Sequence, residues 1–170
     1  MVSYRRPKNL KDILVRAKVP QVISRPKRKL NGMKRCPYDC LTCPYVQPGK
    51  TIHATATKYK HDLEAAVDCQ TANVIYCISC DKCAEQYIGE TEQTLSQRFG
   101  QHRGYVRNKK LDKATGAHFN KPGHTMANMK IAIVEKVISK DRQMRETREG
   151  HYIRKFNSKY KGINRNLGKG

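Results

Sequence analysis

The chain has 170 residues, 38% of them hydrophobic, so it can form one compact domain with a modest core and a small additional segment. Its 35 lysines and arginines against 14 acidic residues give a net charge of +21, which makes a polyanion the expected partner. A basic surface without specificity, as in many ribosomal or membrane-surface proteins, would carry the same charge. The composition therefore excludes a large core and favours nucleic acid as partner.

No part of the sequence is expected in a membrane. No run approaches the about 18 apolar residues of a transmembrane helix, and residues 1–7 lack the apolar core of a signal peptide. We therefore expect a soluble, intracellular protein. In that compartment, seven cysteines at tight spacings predict metal binding rather than a disulfide framework. Their odd number also argues against a secreted, disulfide-bonded basic protein.

The charge is unevenly distributed and suggests boundaries. Residues 1–35 contain twelve basic residues and one acidic residue. Residues 36–72 contain three basic and four acidic residues, and residues 73–170 contain twenty basic and nine acidic residues. We predict four parts: a basic linker with a short helix at 1–35, a cysteine-rich zinc-knuckle segment at 36–72, a folded domain at 73–166 and a tail at 167–170.

The basic linker contains the first predicted helix, which begins after Asn9 and continues to about Lys18. Pro20 stops this helix. The basic run at 25–29 is compatible with a solvated tail, with a localisation signal and with a direct nucleic-acid contact.

A cluster of cysteines follows in a segment that is rich in loops. The cluster consists of Cys36, Cys40, Cys43 and Cys69. So little of this segment is apolar that it needs a metal to hold its shape, and zinc is the predicted ion. The fourth ligand is open, because Cys69 could instead pack in the core and His53 or His61 could take its place. Cys77 is unassigned.

From residue 73 the sequence predicts a folded unit with the order β-β-α-α-β-α. Alternating apolar residues predict the strands, and Thr94 with Gln97 forms a capping box at the first helix. The predicted strands are 74–78, 86–89, and 131–134 with 137–138; the predicted helices are 94–106, 114–120 and 141–156. This order predicts an α/β (α+β) fold, with a small three-stranded, mainly antiparallel sheet flanked by helices.

A cysteine pair lies at the turn between the first two strands. Cys80 and Cys83 can aim both thiolates at one point there, which suits zinc. His118 and His124 are the best candidates for the other two ligands, because the five residues between them fit the usual spacing. The 34 residues between Cys83 and His118 would then hold a helix. Reduced cysteines and ordinary surface histidines are the alternative.

The order of several residues in this unit resembles the signature of the GIY-YIG endonuclease superfamily. The matching residues are Tyr76, the run Tyr87-Ile88-Gly89, Arg98, His102, Glu149 and Asn164. One departure is that Val74 stands where the first motif of the family has glycine, but the tyrosine is kept. The resemblance covers residues 73–166 and implies a GIY-YIG fold.

A narrower resemblance extends over nearly the whole chain. The cysteine pair between the tyrosine motifs, the later histidine pair and the opening residues 6–12 are similar to the C-terminal endonuclease region of Penelope-like retroelements. That resemblance implies a DNA nick that supplies a 3′ hydroxyl for primed reverse transcription. It also implies element RNA and an upstream reverse transcriptase as partners, and a nuclear location.

The superfamily resemblance implies hydrolysis of DNA phosphodiester bonds with one Mg2+ or Mn2+. Glu149 would hold this ion. Arg98 would contact the scissile phosphate, and His102, on the same helix face, would bind the phosphate or relay a proton. Tyr76 would be the general base for the attacking water, and Tyr87 would position it.

Two more residues of the signature have implied supporting roles. Gly89 would keep the site open to the DNA backbone, and Asn164 would hold the C-terminal segment on the active face. The alternative function is a catalytically inactive, zinc-stabilised module that binds nucleic acid. That module predicts salt-sensitive binding without cleavage.

Each assignment also has a plainer interpretation. The two tyrosines could pack across neighbouring strands, and Arg98 could be one surface cation among many. Glu149 could pair with Arg145 on an exposed helix face. Glu146 competes with Glu149 as the metal ligand.

Overall fold

The computed structural model describes Met1 and residues 31–168. The helix predicted at 9–18, the basic run at 25–29 and the end of the predicted tail lie outside these residues. The strands are β1 (Gly32–Met33), β2 (Thr51–His53), β3 (Lys60–Asp62), β4 (Ala66–Val67), β5 (Val74–Cys80), β6 (Gln86–Thr91) and β7 (Met129–Lys136). The helices are α1 (Leu95–Arg107), α2 (Ala114–Phe119) and α3 (Arg142–Phe156), with 3₁₀ turns at Cys43–Tyr45 and Met126–Asn128. None of the helices in these ranges has the length and apolar character needed to cross a membrane.

An antiparallel sheet of three strands, in the order β6-β5-β7, forms the centre of the fold, as the sequence predicted. β5 is the middle strand, and nearly all of its residues are buried because both faces of the sheet are covered. In this register Tyr76 lies opposite Gly89 on one side and Ile133 on the other. The two tyrosine motifs are therefore neighbours across the sheet.

The two faces of the sheet are covered by different parts of the chain. Tyr76 and Ile78 belong to an apolar cluster that includes residues of α1 and of the cysteine-rich segment. Ile75 and Cys77 point the other way and pack with apolar residues of α3. This division follows from the alternation of side chains along a strand.

Two strands differ from their predicted bounds because pairing decides where they end. β5 continues to Cys80, since its last residues pair with β7. β7 begins two residues before the predicted strand and does not include 137–138. The N–H of Val137 donates to the carbonyl of Asn73, the residue before β5, so the pairing stops where its partner strand begins.

Both long helices begin at the side chains that the sequence indicated. The Thr94 hydroxyl accepts from the N–H of Gln97, and the Gln97 side chain accepts from the N–H of Thr94. The carboxylate of Asp141 caps α3, which ends at Asn157 in the left-handed conformation, with φ of 53°. The buried face of α1 includes His102 and lies against the sheet.

The cysteine-rich segment consists of loops and very short strand pairs. β1 pairs in parallel with β4, and β2 pairs antiparallel with β3. Tyr45 packs on Phe99 of α1, with 5.2 Å between ring centroids, and Val46 bridges to Ile131 of β7. The segment is therefore attached to both the sheet and α1.

Candidate active site and metal centres

Four side chains from three elements meet on the face of the sheet that α1 covers. Tyr76 comes from β5, Tyr87 from β6, and Arg98 and His102 from α1. The ring centroid of His102 lies 5.7 Å from that of Tyr76 and 5.4 Å from that of Tyr87, and the tyrosine rings are 6.3 Å apart. Arg98 and His102 reach the same place because residues four positions apart share a helix face.

A chain of hydrogen bonds links these groups. Nε of Arg98 donates to the Tyr76 hydroxyl at 3.0 Å, and this hydroxyl lies 2.7 Å from Nε2 of His102. On the other side of the ring, Nδ1 of His102 lies 2.8 Å from Oγ1 of Thr115. The Tyr76 hydroxyl can donate its proton to Nε2 while it accepts from Arg98; in that arrangement the proton of the imidazole is on Nδ1 and is donated to Thr115.

Burial sets the protonation of this chain. Burial and then the neighbouring Tyr87 raise the pKa of Tyr76 well above its ordinary value, although Arg98 opposes the shift. Burial and then the positive charge of Arg98 lower the pKa of His102 to about 3. At neutral pH a protonated phenol therefore faces a neutral imidazole.

A cavity of about 530 Å³ lies beside the hydrogen-bonded chain. Tyr87, Glu149 and Asn164 line it, whereas the side chain of Tyr76 has no exposed surface. Burial and then the negative charge of Glu90 raise the pKa of Glu149 to about 7. The carboxylate of Glu149 is therefore readily neutralised, either by a proton or by another cation.

Glu146, the competing metal ligand, and Arg145, the alternative ion-pair partner of Glu149, both form ion pairs with other residues. Glu146 borders the same cavity, but it forms an ion pair with Arg142 at 2.9 Å. Arg145 is buried and pairs with Glu90 at 2.9 Å and Glu92 at 3.0 Å, so it does not pair with Glu149. Within the ranges described, no ion pair involves Glu149.

Gly89 is required for a reason that the sequence did not indicate. A Cβ atom at this position would lie 2.5 Å from the hydroxyl oxygen of Tyr76 and 2.8 Å from Cε1 of Tyr87. The missing side chain therefore makes room for the two tyrosine rings. Access of the DNA backbone at Gly89, which the resemblance implies, stays a prediction.

Asn164 holds the C-terminal segment on β6. Its side-chain oxygen accepts from the N–H of Ile88, and its amide nitrogen donates to the carbonyl of Ile88, both at 2.8 Å. This pair of bonds lies next to Tyr87 and brings the chain after α3 to the wall of the cavity.

The four cysteines of the first cluster lie together, with all sulfur atoms within 4.8 Å of one another. Sγ of Cys43 is 3.4 Å from that of Cys36, 3.8 Å from that of Cys40 and 3.7 Å from that of Cys69. A tetrahedral zinc ion with bonds of about 2.3 Å needs sulfurs about 3.8 Å apart. The donor set therefore fits zinc.

The second cluster joins the β5–β6 hairpin to α2 and the turn that follows it. Its members are Cys80, Cys83, His118 and His124, with ligand atoms within 4.8 Å of one another. Nε2 of His118 is 3.6 Å from Sγ of Cys83. Nδ1 of His124 lies 3.3 Å from the carbonyl of Pro122, while its buried Nε2 has no hydrogen-bond partner among residues 31–168. A metal ion would satisfy this nitrogen, so this set also fits zinc.

The alternative ligands lie elsewhere. His61 contacts Tyr59 and Tyr152, and His53 is not part of either cluster within 31–168. Cys77 packs in the apolar core between the sheet and α3. Cys69 is thus the residue that completes the first group of four.

Thr115 and Glu90 belong to this site but were not predicted from the sequence. Thr115 meets His102 because α2 packs against α1. Glu90 directly follows Gly89 and acts on Glu149 through its charge. The position of Glu90 after the Tyr-Ile-Gly motif was the only available indication for it.

Comparisons with known proteins identify the fold and the family. The family model of the GIY-YIG catalytic domain matches residues 72–164. A mutant of the catalytic domain of intron endonuclease I-TevI has a similar structure, with a TM-score of 0.50, 20% sequence identity, and coverage of 57% of this chain and 96% of that domain. No match was found among the curated proteins. The chain belongs to the GIY-YIG family, with residues 72–164 as its endonuclease domain.

Proposed function

We propose that this chain cuts DNA by metal-dependent hydrolysis of a phosphodiester bond. The observation that carries the proposal is the hydrogen-bonded chain of Arg98, Tyr76 and His102 beside the cavity that holds Tyr87 and Glu149. The oxygen of a water molecule would bond to phosphorus while the bond from phosphorus to the 3′ oxygen breaks. This reaction leaves a 3′ hydroxyl and a 5′ phosphate.

The carboxylate of Glu149 would hold the catalytic Mg2+ or Mn2+. These ions prefer oxygen ligands, and Glu149 lines the cavity without an ion pair among residues 31–168. When bound, the ion would supply positive charge that polarises the phosphate and stabilises the leaving oxygen. Its charge would also favour the ionised form of Glu149, which burial opposes.

Arg98 would contact the scissile phosphate through its guanidinium group. In the structure this group is bonded to the hydroxyl of Tyr76 and, at 2.7 Å, to the side-chain oxygen of Gln101. Tyr76 has no exposed surface while these contacts are made. Movement of Arg98 onto the phosphate would therefore uncover the hydroxyl of Tyr76 for the attacking water.

Tyr76 would act as general base by taking a proton from the water as it passes its own proton to Nε2 of His102. A phenol with a raised pKa is a poor base alone, but the imidazole lone pair is only 2.7 Å away. The negative phosphate would raise the pKa of His102 and so stabilise the imidazolium. Tyr87, which lines the cavity, would position the water.

We also propose that zinc binds both cysteine clusters in a structural role. The first would hold the cysteine-rich segment, and the second would hold α2 against the hairpin. Support comes from the tight grouping of both ligand sets and from the unpaired Nε2 of His124. Because α2 carries Thr115, the second ion would also support the position of His102.

An origin in a Penelope-like retroelement remains a proposal of the same kind. It is supported by the order of the cysteine pair, the histidine pair and the tyrosine motifs along the chain. In such an element the 3′ hydroxyl would prime reverse transcription, with element RNA and an upstream reverse transcriptase as partners and the nucleus as the place of action.

The proposed activity is tested with supercoiled plasmid. Zinc-loaded protein should nick the plasmid when Mg2+ or Mn2+ is added and should leave it supercoiled without either ion. A polymerase should extend the nick, because the proposed cleavage leaves a 3′ hydroxyl. Folded, zinc-loaded protein that binds the plasmid but never nicks it would refute the enzyme and favour an inactive binding module.

Thr115 should act as a positioning residue for His102. In Thr115→Val the proton on Nδ1 loses its acceptor, so the imidazole can adopt the other tautomer, in which Nε2 cannot accept from Tyr76. We expect kcat for nicking to fall by about 10- to 100-fold with little change in KM. Thr115→Ser keeps the acceptor and should remain within about threefold of the wild type.

Nitrogen NMR of the imidazole reports the tautomer directly. The Val variant should lose the single Nδ1-protonated form, whereas the Ser variant should keep it. Equal activity in the Val variant and the wild type, or equal loss in both variants, would contradict the positioning role.

A further inference from the structure

Arg103 of α1 is held in place by two aromatic rings. Its guanidinium carbon lies 5.8 Å from the ring centroid of Tyr45 and 5.7 Å from that of Phe99. A guanidinium on aromatic faces is stabilised by the ring electrons and loses rotational freedom. The charge of Arg103 is therefore positioned before any ligand arrives.

No acidic group compensates this charge within residues 31–168. Arg145 and Arg148 form ion pairs with glutamates, whereas Arg103 has neither an ion pair nor a hydrogen bond in this part of the chain. Its Nε is buried and unpartnered, so the two terminal nitrogens are the donors that remain for a ligand. Two coplanar N–H groups match the oxygens of a phosphate.

Arg103 follows His102, a member of the candidate active site, in α1. Successive helix residues are rotated by about 100°, so Arg103 leaves the helix toward the cysteine-rich segment while His102 faces Tyr76. Its ring partner Tyr45 ends the 3₁₀ turn that begins at Cys43. The first cysteine cluster thus fixes the aromatic ring on which this cation rests.

We propose that Arg103 binds a backbone phosphate of the DNA other than the one that is cut, and that the first cysteine cluster presents it. The inference rests on the proposed DNA substrate. A second phosphate contact one helix position from His102 would set the register of the strand in the site, since phosphate contacts position a protein on DNA. The competing explanation is that Arg103 only covers Tyr45 and Phe99.

The salt dependence of DNA binding separates these explanations. It is measured by fluorescence anisotropy with a labelled duplex and without a divalent ion, so that no cleavage occurs. Arg103→Gln and Arg103→Met both remove the charge, and the methionine keeps an apolar contact with the rings. We expect each to weaken binding by about three- to tenfold and to reduce the slope of log affinity against log salt by about one.

Arg154→Gln is the matched control, because it removes the same charge from an exposed position on α3. Its affinity and slope should stay near those of the wild type. Folded Arg103 variants with the affinity and salt slope of this control would overturn the proposal. Loss of folding in both Arg103 variants would also overturn it, because Arg103 would then be a packing residue. Plasmid nicking is measured separately. A protein that binds DNA through Arg103 but does not nick it would refute the proposed enzymatic activity and leave the proposed role of Arg103 intact.

Discussion

Replacement of Glu149 by glutamine should reduce DNA nicking by about a thousandfold or more while the protein stays folded. The amide oxygen of Glu149→Gln is a much weaker ligand for Mg2+ or Mn2+ than a carboxylate. The fold should tolerate the change, because burial and the charge of Glu90 already oppose ionisation at this position. Nicking rates with saturating Mg2+, together with thermal unfolding of both proteins, measure these two effects.

Glu146→Gln provides the control for this experiment. Glu146 borders the same cavity one turn earlier in α3, but it is engaged with Arg142. We expect this variant to retain nicking within about threefold of the wild type, at a cost of less than about 1 kcal/mol in stability. Equal losses in the two variants would mean that the cavity needs both carboxylates. A larger loss of nicking in Glu146→Gln than in Glu149→Gln would mean that Glu146 is the metal ligand.

Replacement of Cys43 by serine should have the largest effect on stability. Its sulfur lies within 3.8 Å of the other three sulfurs, and its side chain is fully buried. Without this thiolate the cluster should lose its zinc, and the free energy of unfolding should fall by on the order of 5 kcal/mol. Native mass spectrometry should find two zinc ions in the wild type and one in Cys43→Ser.

Cys77→Ala is the matched control, because Cys77 is buried in the core between the sheet and α3 and belongs to neither cluster. This variant should keep two zinc ions and lose only about 1 to 2 kcal/mol from the small cavity. Two zinc ions in Cys43→Ser, or none in the wild type, would reject the proposed first site. Loss of zinc from Cys77→Ala as well would show that zinc is lost from both variants because the protein unfolds, not because a ligand has been removed.

Elements with a local signal were predictable from the sequence. The capping box of Thr94 and Gln97 and the cap at Asp141 depend on residues within one helical turn, and α1 and α3 begin there. The ends of β5 and β7 were not predictable, because each of these antiparallel strands ends where its partner begins. Neighbouring side chains along the sequence do not contain that information.

The candidate site divides in the same way. The order of the tyrosine motifs, Arg98, His102 and Glu149 along the chain was sufficient to bring them into one hypothesis. The choice of Cys69 over a histidine as the last member of the first cluster required the packing of segments 26 residues apart. The contact of Thr115 with His102 could not be predicted for a similar reason, since it depends on the packing of α2 against α1.

By itself, the sequence predicted the fold class, the four ligands of the second metal cluster, three cysteines of the first cluster and the candidate catalytic residues. Those properties reside in residue types and their spacing. Only the tertiary structure decided that Tyr76 is buried beneath Arg98, that Nδ1 of His102 lies against the Thr115 hydroxyl and that Arg103 rests on Tyr45 without an ion-pair partner among residues 31–168. Burial, hydrogen-bond direction and charge compensation depend on which distant side chains meet, and folding alone determines that.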